Sequence, residues 1–205
     1  ITENLGLYSG YEVATLADSY GWIALDDAKL AKMDASSDVE IRKKDKLLEL
    51  YVRSGGLFFD VTEPLAEDET MNIRTSNIMV GIRGTRGWVE VEDENLMCVY
   101  LLKGKVECTV FDEDGNVLAS EIITAGQAAR LVLDGGEASI TTAEFDTGRL
   151  PDFVVKEIRD GEGGTNAALG GSGTDVPGNP SQQGNQQGNP LQGDAQRHSP
   201  GSDTV

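Results

Sequence analysis

One histidine and two cysteines occur among the 205 residues. The histidine is His198, close to the end of the sequence. A Ser-His-Asp or Cys-His centre therefore has no candidate base in residues 1–160. Cys98 and Cys108 alone do not make the Cys/His cluster that zinc requires, so no metal site is expected. Bases are also scarce. The chain has 17 Lys+Arg against 35 Asp+Glu, a formal net charge of −18. Nucleic-acid binding needs clustered cations, and so does a polybasic membrane-surface segment; neither partner is expected. Long apolar runs are missing. The longest, Leu57-Phe58-Phe59 and Ile78-Met79-Val80, fall far short of the ~18 residues that cross a bilayer. There is no phosphate loop and no Gly-x-Gly-x-x-Gly, so no nucleotide cofactor is expected. The sequence starts at Ile1 and shows no signal peptide; it reads as a processed or trimmed segment, with any export signal upstream.

Aromatic residues stop at Phe153, and the composition changes soon after. Residues 161–205 hold 11 of the 25 glycines, 4 of the 6 prolines and the repeat Gln182-Gln183-Gly184-Asn185, Gln186-Gln187-Gly188-Asn189. Such a stretch buries too little apolar surface to offset the entropy of ordering it. It reads as a Gly/Pro/Gln/Asn-rich disordered linker or tail. Residues 1–160 retain 31 acids and 16 bases, so the acidity belongs to the folding part. That length is enough for one good core, burying roughly 70% of the chain's surface.

What is present in residues 1–160 is a period of two. Tyr11, Val13 and Thr15 alternate with Glu12 and Ala14; Leu48, Leu50 and Val52 with Glu49, Tyr51 and Arg53; Val106, Cys108 and Val110 with Glu107 and Thr109. Turn signals such as Gly55-Gly56, Lys103-Gly104, Asp114-Gly115-Asn116 and Gly135-Gly136 separate these runs. About a dozen strands follow, and with them an all-β, multi-stranded roll or sandwich. Around 151–159, Pro151 near a first turn and Phe153, Val154 and Ile158 on a shared face predict one short helix, stopped by Gly161. It is expected to close one end of the β domain.

The order of signals resembles the FecR domain family. The likeness runs through Leu7 to Thr15, Trp22-Ile23-Ala24-Leu25-Asp26-Asp27, Val39-Glu40-Ile41 and Gly55-Gly56-Leu57-Phe58-Phe59-Asp60-Val61. Its most specific stretch is Ile73 to Thr85, closing in Arg83-Gly84-Thr85, followed by the strand-turn-strand Val99 to Val110 and by Ala125-Gly126-Gln127-Ala128. It covers about residues 5–140. The resemblance implies a β domain of FecR type outside the cytoplasm, at the cell surface or in the periplasm, anchored through a segment upstream of Ile1. In Gram-negative members it relays a receptor signal to a sigma factor. The implied partner is another envelope protein or protein domain. The sequence departs from the classical regulator: it contains no cytoplasmic anti-sigma segment and no transmembrane helix, and a Gly/Gln/Asn tail follows the domain.

Candidate binding residues centre on that motif: Arg83, Gly84, Thr85, Arg86 and Trp88. Gly84 is placed to adopt a positive φ. Arg83 then turns inward to bridge a carboxylate, the reading that suits so acidic a chain, or outward to bind. The first reading makes Arg83→Ala destabilising. No catalytic residue is assigned. Thirty-one acids make some carboxylate pair inevitable, so a glycosidase-like pair carries no signal. Asp112-Glu113-Asp114-Gly115-Asn116 partly resembles a calcium loop, but the spacing does not continue, and a hairpin turn fits better. Cys98 and Cys108 flank Lys103-Gly104. A hairpin pairing 98 with 108 would allow a disulfide, and a two-residue turn would put the thiols on opposite faces; free thiols fit the apolar alternation better. The leading expectation is a non-enzymatic interaction or sensing module. The alternative is a glycan- or wall-binding module of a secreted protein, using exposed Tyr20, Trp22 or Trp88.

Overall fold

The computed structural model describes residues 5–145 and 147–163. The tail expected beyond the helix, with His198, lies outside them. Thirteen strands follow one another: β1 (Tyr11–Ala14), β2 (Gly21–Asp26), β3 (Lys29–Met33), β4 (Asp38–Lys44), β5 (Leu47–Val61), β6 (Thr70–Arg74), β7 (Ile78–Ile82), β8 (Arg86–Asp93), β9 (Leu96–Lys103), β10 (Lys105–Phe111), β11 (Val117–Thr124), β12 (Gln127–Asp134) and β13 (Glu137–Glu144). A 3₁₀ turn, Thr147–Arg149, leads into helix α1 (Asp152–Gly163). The fold is the all-β roll that the alternation predicts.

β5 belongs to two sheets. Its first half lies between β4 and the parallel β6, within sheet A, ordered β1-β4-β5-β6-β7-β10-β11. Its second half lies between β3 and β8, within sheet B, ordered β2-β3-β5-β8-β9-β12-β13. The inner faces of both sheets share one core, in which Leu50, Val52, Ile73 and Val80 meet Met33, Leu57, Phe59, Val89 and Val99.

The crossing is legible in β5 itself. Leu50 and Val52, at even positions, face this core, but so do Leu57, Phe59 and Val61, at odd ones. A regular strand cannot do that, because its side chains alternate strictly. The change of parity coincides with a bulge: Asp38 pairs with Ser54 and Val39 with Val52, leaving Arg53 as the extra residue. Gly55 follows at φ +89°, and a side chain there would collide with buried Ser37. The Ser37 hydroxyl closes the corner, accepting from Gly56 N–H at 3.0 Å and donating to the Gly56 carbonyl at 3.1 Å.

A second, smaller cluster lies on the outer face of sheet B. Phe58, Trp88, Leu150 and Val154 are buried there, with Tyr100, Leu102, Phe145, Phe153, Val155 and Ile158 around them. α1 lies over this face, and so does not close an end of the roll as the sequence suggested. The β-sheet supplied no sign of this, since the aromatic residues it covers come from three separate strands. Pro151 opens the helix, its carbonyl accepting from Val154 N–H at 2.9 Å. The helix also runs through Gly161 to Gly163; one glycine costs only about 1 kcal/mol of helix propensity and does not by itself end a helix.

Candidate functional site

The Arg-Gly-Thr motif is a corner between the sheets. β7 ends at buried Ile82 in sheet A, and β8 begins at Arg86 in sheet B. Gly84 takes φ +73°, as expected, and packs against the Pro64 backbone. Thr85 is buried, and its carbonyl accepts from Val61 N–H at 2.9 Å. Arg83 does not bridge a carboxylate. It is exposed, with no ion pair among the described residues. The bridge belongs to Arg86, which donates to Asp60 Oδ2 at 2.6 Å. Strand register decides this: Arg86 stands directly opposite Asp60, whereas Arg83 precedes the ladder. Thr85 Oγ1 and Arg86 Nε are buried without a partner among the described residues.

A second corner stacks on the first. Lys103-Gly104-Lys105 carries the chain from β9 in sheet B to β10 in sheet A. Gly104 lies so close that a side chain on it would approach the Gly84 carbonyl oxygen to 3.1 Å. Arg83, Lys103 and Lys105 therefore collect exposed cations at two adjoining corners of a strongly acidic chain.

Trp88 does not join them. It is 3% exposed, beneath α1, with its ring centroid 5.6 Å from that of Phe153 in an edge-to-face arrangement at 75°. Helix cover, invisible in the strand pattern, removes it from any binding surface. Tyr20 and Trp22 are exposed, at 70% and 50%.

The stacked corners also correct the premise about cysteine. β9 and β10 are not a hairpin but lie in different sheets: Cys98 pairs with Glu90 and Arg130, and Cys108 with Val80 and Glu121. Both are free thiols. Burial pushes the Cys108 thiol up to about 12, with Glu107 and Glu121 adding to the effect, so it stays protonated and inert at neutral pH. The acidic loop is a turn. Asp112 accepts from Asn116 Nδ2 at 2.9 Å and from the backbone N–H groups of Asn116 and Asp114. These hydrogen bonds, led by the Asn116 side chain, hold its carboxyl below the usual range.

A cluster around Lys32 has no counterpart in the sequence pattern. This lysine is 5% exposed, on the outer face of β3. Its ammonium lies 3.2 Å from the centroid of the Trp22 ring and pairs with Glu157 of α1. Lys32 and Glu157 are 125 positions apart, so no local pattern points to the pair. Two hollows lie in the surface of the described residues. One, of about 220 Å³ between the segment preceding β1 and strand β2, is lined by Leu7, Ile23, Ile41 and Leu65 among others, and falls below the roughly 300 Å³ at which ligand pockets begin. A second, of about 580 Å³, is an open groove beside Arg74 and Asp112.

Residues 11–107 match the family described as FecR protein. No curated protein matches the chain. Two crystal structures of a "putative anti-sigma factor" from Parabacteroides distasonis ATCC 8503 share the fold, with TM-scores of 0.55 and 0.54 at 16% identity. Each alignment covers 66% of this chain and 60% of the Parabacteroides chain. The matched residues begin at β1 and extend into β10, and they take in the β5 crossing, the Arg-Gly-Thr corner and the Lys103-Gly104 corner, so the FecR match is a match of this stretch of the chain.

Proposed function

We propose that the domain is an extracytoplasmic, non-enzymatic module of an envelope signalling protein, of the sigma-factor regulation type. The observation that carries this reading is the FecR match over residues 11–107. The fold shared with the Parabacteroides protein supports it. The module stands at the cell surface or in the periplasm, held by an anchor upstream of Ile1. Its partner is another envelope protein. The contact point is the double corner where Arg83-Gly84-Thr85-Arg86 stacks on Lys103-Gly104-Lys105, and its exposed cations Arg83, Lys103 and Lys105 suit an acidic segment of the partner. The test is a sigma-dependent transcription reporter in cells carrying the full-length protein. Arg83→Glu with Lys105→Glu is expected to abolish the response while the domain remains folded. A reporter that ignores even deletion of residues 5–145 would sink the reading.

The exposed aromatics favour one second reading, a glycan- or wall-binding surface. Tyr20 and Trp22 are accessible, and Tyr8 stacks edge-to-face on Tyr11 at 5.6 Å. Retention on insoluble wall polysaccharide, lost in Tyr20→Ala and Trp22→Ala, would support it; no retention of the unaltered chain rejects it.

A further inference from the structure

α1 is a weak helix on a demanding seat. Twelve residues are marginal as an isolated helix in water. Val154 and Val155 are β-branched, glycines occupy positions 161 and 163, and no base in the last turn meets the negative end of the helix. The helix therefore depends on what it covers.

Its seat is a row set by register across β2, β3, β5, β8 and β9. Trp22 pairs with Lys32, Lys32 with Phe58, Phe58 with Trp88, and Trp88 with Tyr100. Lys32 is the only charge in that row. Its ammonium is enclosed by the Trp22 ring at 3.2 Å and the Phe153 ring at 5.9 Å, and Glu157 neutralises it. An enclosed cation without its carboxylate is strongly unfavourable. The seat thus discriminates: it accepts a helix whose aromatic residue meets Trp88 and whose carboxylate follows four residues later. Phe153 and Glu157 satisfy this spacing, which places both on one helical face.

We infer that the outer face of sheet B is a recognition groove for an amphipathic helix of this pattern, that α1 fills it in cis, and that α1 of a second copy of the chain is the partner that fits it in trans. Every copy carries both the groove and the sequence that matches it. Exchange of an identical element is the least demanding route to a dimer. The inference does not depend on the signalling reading.

Both tryptophans of the chain lie in this row, so tryptophan emission, excited beyond the tyrosine band, reports on the groove alone. In the full chain, Val154→Asp is expected to release α1 and shift the emission to the red, with the far-ultraviolet β signal unchanged. A synthetic peptide of residues 147–163 should then reverse the shift saturably. The same peptide with Glu157→Lys should bind at least tenfold more weakly. That order should invert when Lys32→Glu is added to the chain. Mixing the Val154→Asp chain, with its empty groove, and a Lys32→Glu chain, with its rejected but intact helix, should give a two-chain complex in sedimentation. An intact sheet with no peptide rescue, equal binding of both peptides, or no complex would each overturn the proposal. If Val154→Asp unfolds the sheet, Phe153→Ala replaces it; loss of the sheet there as well would show α1 to be a fixed part of the core, and the proposal fails.

Discussion

The two outer faces of the roll share a topology and differ in chemistry. Across sheet A the central row reads Glu12, Glu40, Tyr51, Arg74, Met79, Thr109, Ser120. Across sheet B it reads Trp22, Lys32, Phe58, Trp88, Tyr100, Ala128, Ala143. On sheet A, Arg53 reaches Glu12 at 2.7 Å and Glu40 at 3.0 Å, Arg42 reaches Glu40 at 2.8 Å, and Tyr51, Arg74 and Met79 stay half-buried. On sheet B, α1 covers an aromatic strip. The period of two sorts inward from outward residues in both sheets. Whether an outward residue is wet or dry depends on a segment remote in sequence.

Tyr51 and Phe58 make the sharpest pair, since both project outward from β5. Phe58→Ala removes a buried ring from beneath α1 and is expected to cost about 3–5 kcal/mol. Tyr51→Ala removes a half-buried ring whose hydroxyl meets Ser76 Oγ at 2.7 Å and over which Arg42 lies at 4.0 Å; about 1 kcal/mol is expected. Urea denaturation of both variants checks this, and equal losses would erase the distinction between the faces.

Glycines extend the comparison. A side chain on Gly56 would overlap the Trp88 ring, so Gly56→Ala should destabilise by about 1–3 kcal/mol. At Gly81 on sheet A the nearest atom is the Glu107 carbonyl oxygen, at 3.9 Å. Gly81→Ala is expected to stay within about 0.5 kcal/mol of the parent. Thermal melts of the two variants measure the difference.

The arginines of the motif separate next. Arg86→Ala strands Asp60 in a site where its side chain is 16% exposed, at about 1–3 kcal/mol. Arg83→Ala should fall within about 0.5 kcal/mol, because nothing in the domain depends on that side chain. The reverse order in denaturation would restore Arg83 as the structural residue.

Much of the fold could be read in advance because strand alternation is local. Val13, Leu50, Val52, Val106, Cys108 and Val110 all alternate as the sequence suggests, and the Gly84 and Gly115 turns adopt the positive φ their positions demand. What escaped the reading is non-local. Lys103-Gly104 has the composition of a hairpin turn, yet it joins two sheets, because a glycine at φ +86° serves a corner as well as a hairpin. Trp88 looked like a binding aromatic because its cover, Phe153, comes 65 positions later. Lys32 drew no attention because a lysine between Ala31 and Met33 has the ordinary pattern of a half-exposed strand. Arg83 and Arg86 are three positions apart, and only the register against Asp60 tells which one bridges.

The smallest expected effect is electrostatic and belongs to sheet A and its turn. Hydrogen bonding to Arg42 holds the Glu40 carboxyl below its ordinary value, and Asn116 does the same for Asp112. A carboxyl depressed in the folded state stabilises above its unfolded pKa and loses that contribution as pH falls through the folded one. Stability should therefore decline on acidification from the ordinary carboxylate range downwards, and Asp112→Asn should lessen the decline. Arg53→Ala should lower the melting midpoint slightly at low ionic strength and hardly at all in molar salt, since Arg53 itself and two of its partners, Glu12 and Asp38, face water. Lys32→Met should keep most of its penalty in molar salt, because the Lys32 ammonium is buried between Trp22 and Phe153 and ions screen it less than an exposed guanidinium. Melting curves at two salt concentrations thus compare the same kind of bond on the two faces. A Lys32 effect that fades with salt as the Arg53 effect does would mean that α1 leaves the sheet B face open to water.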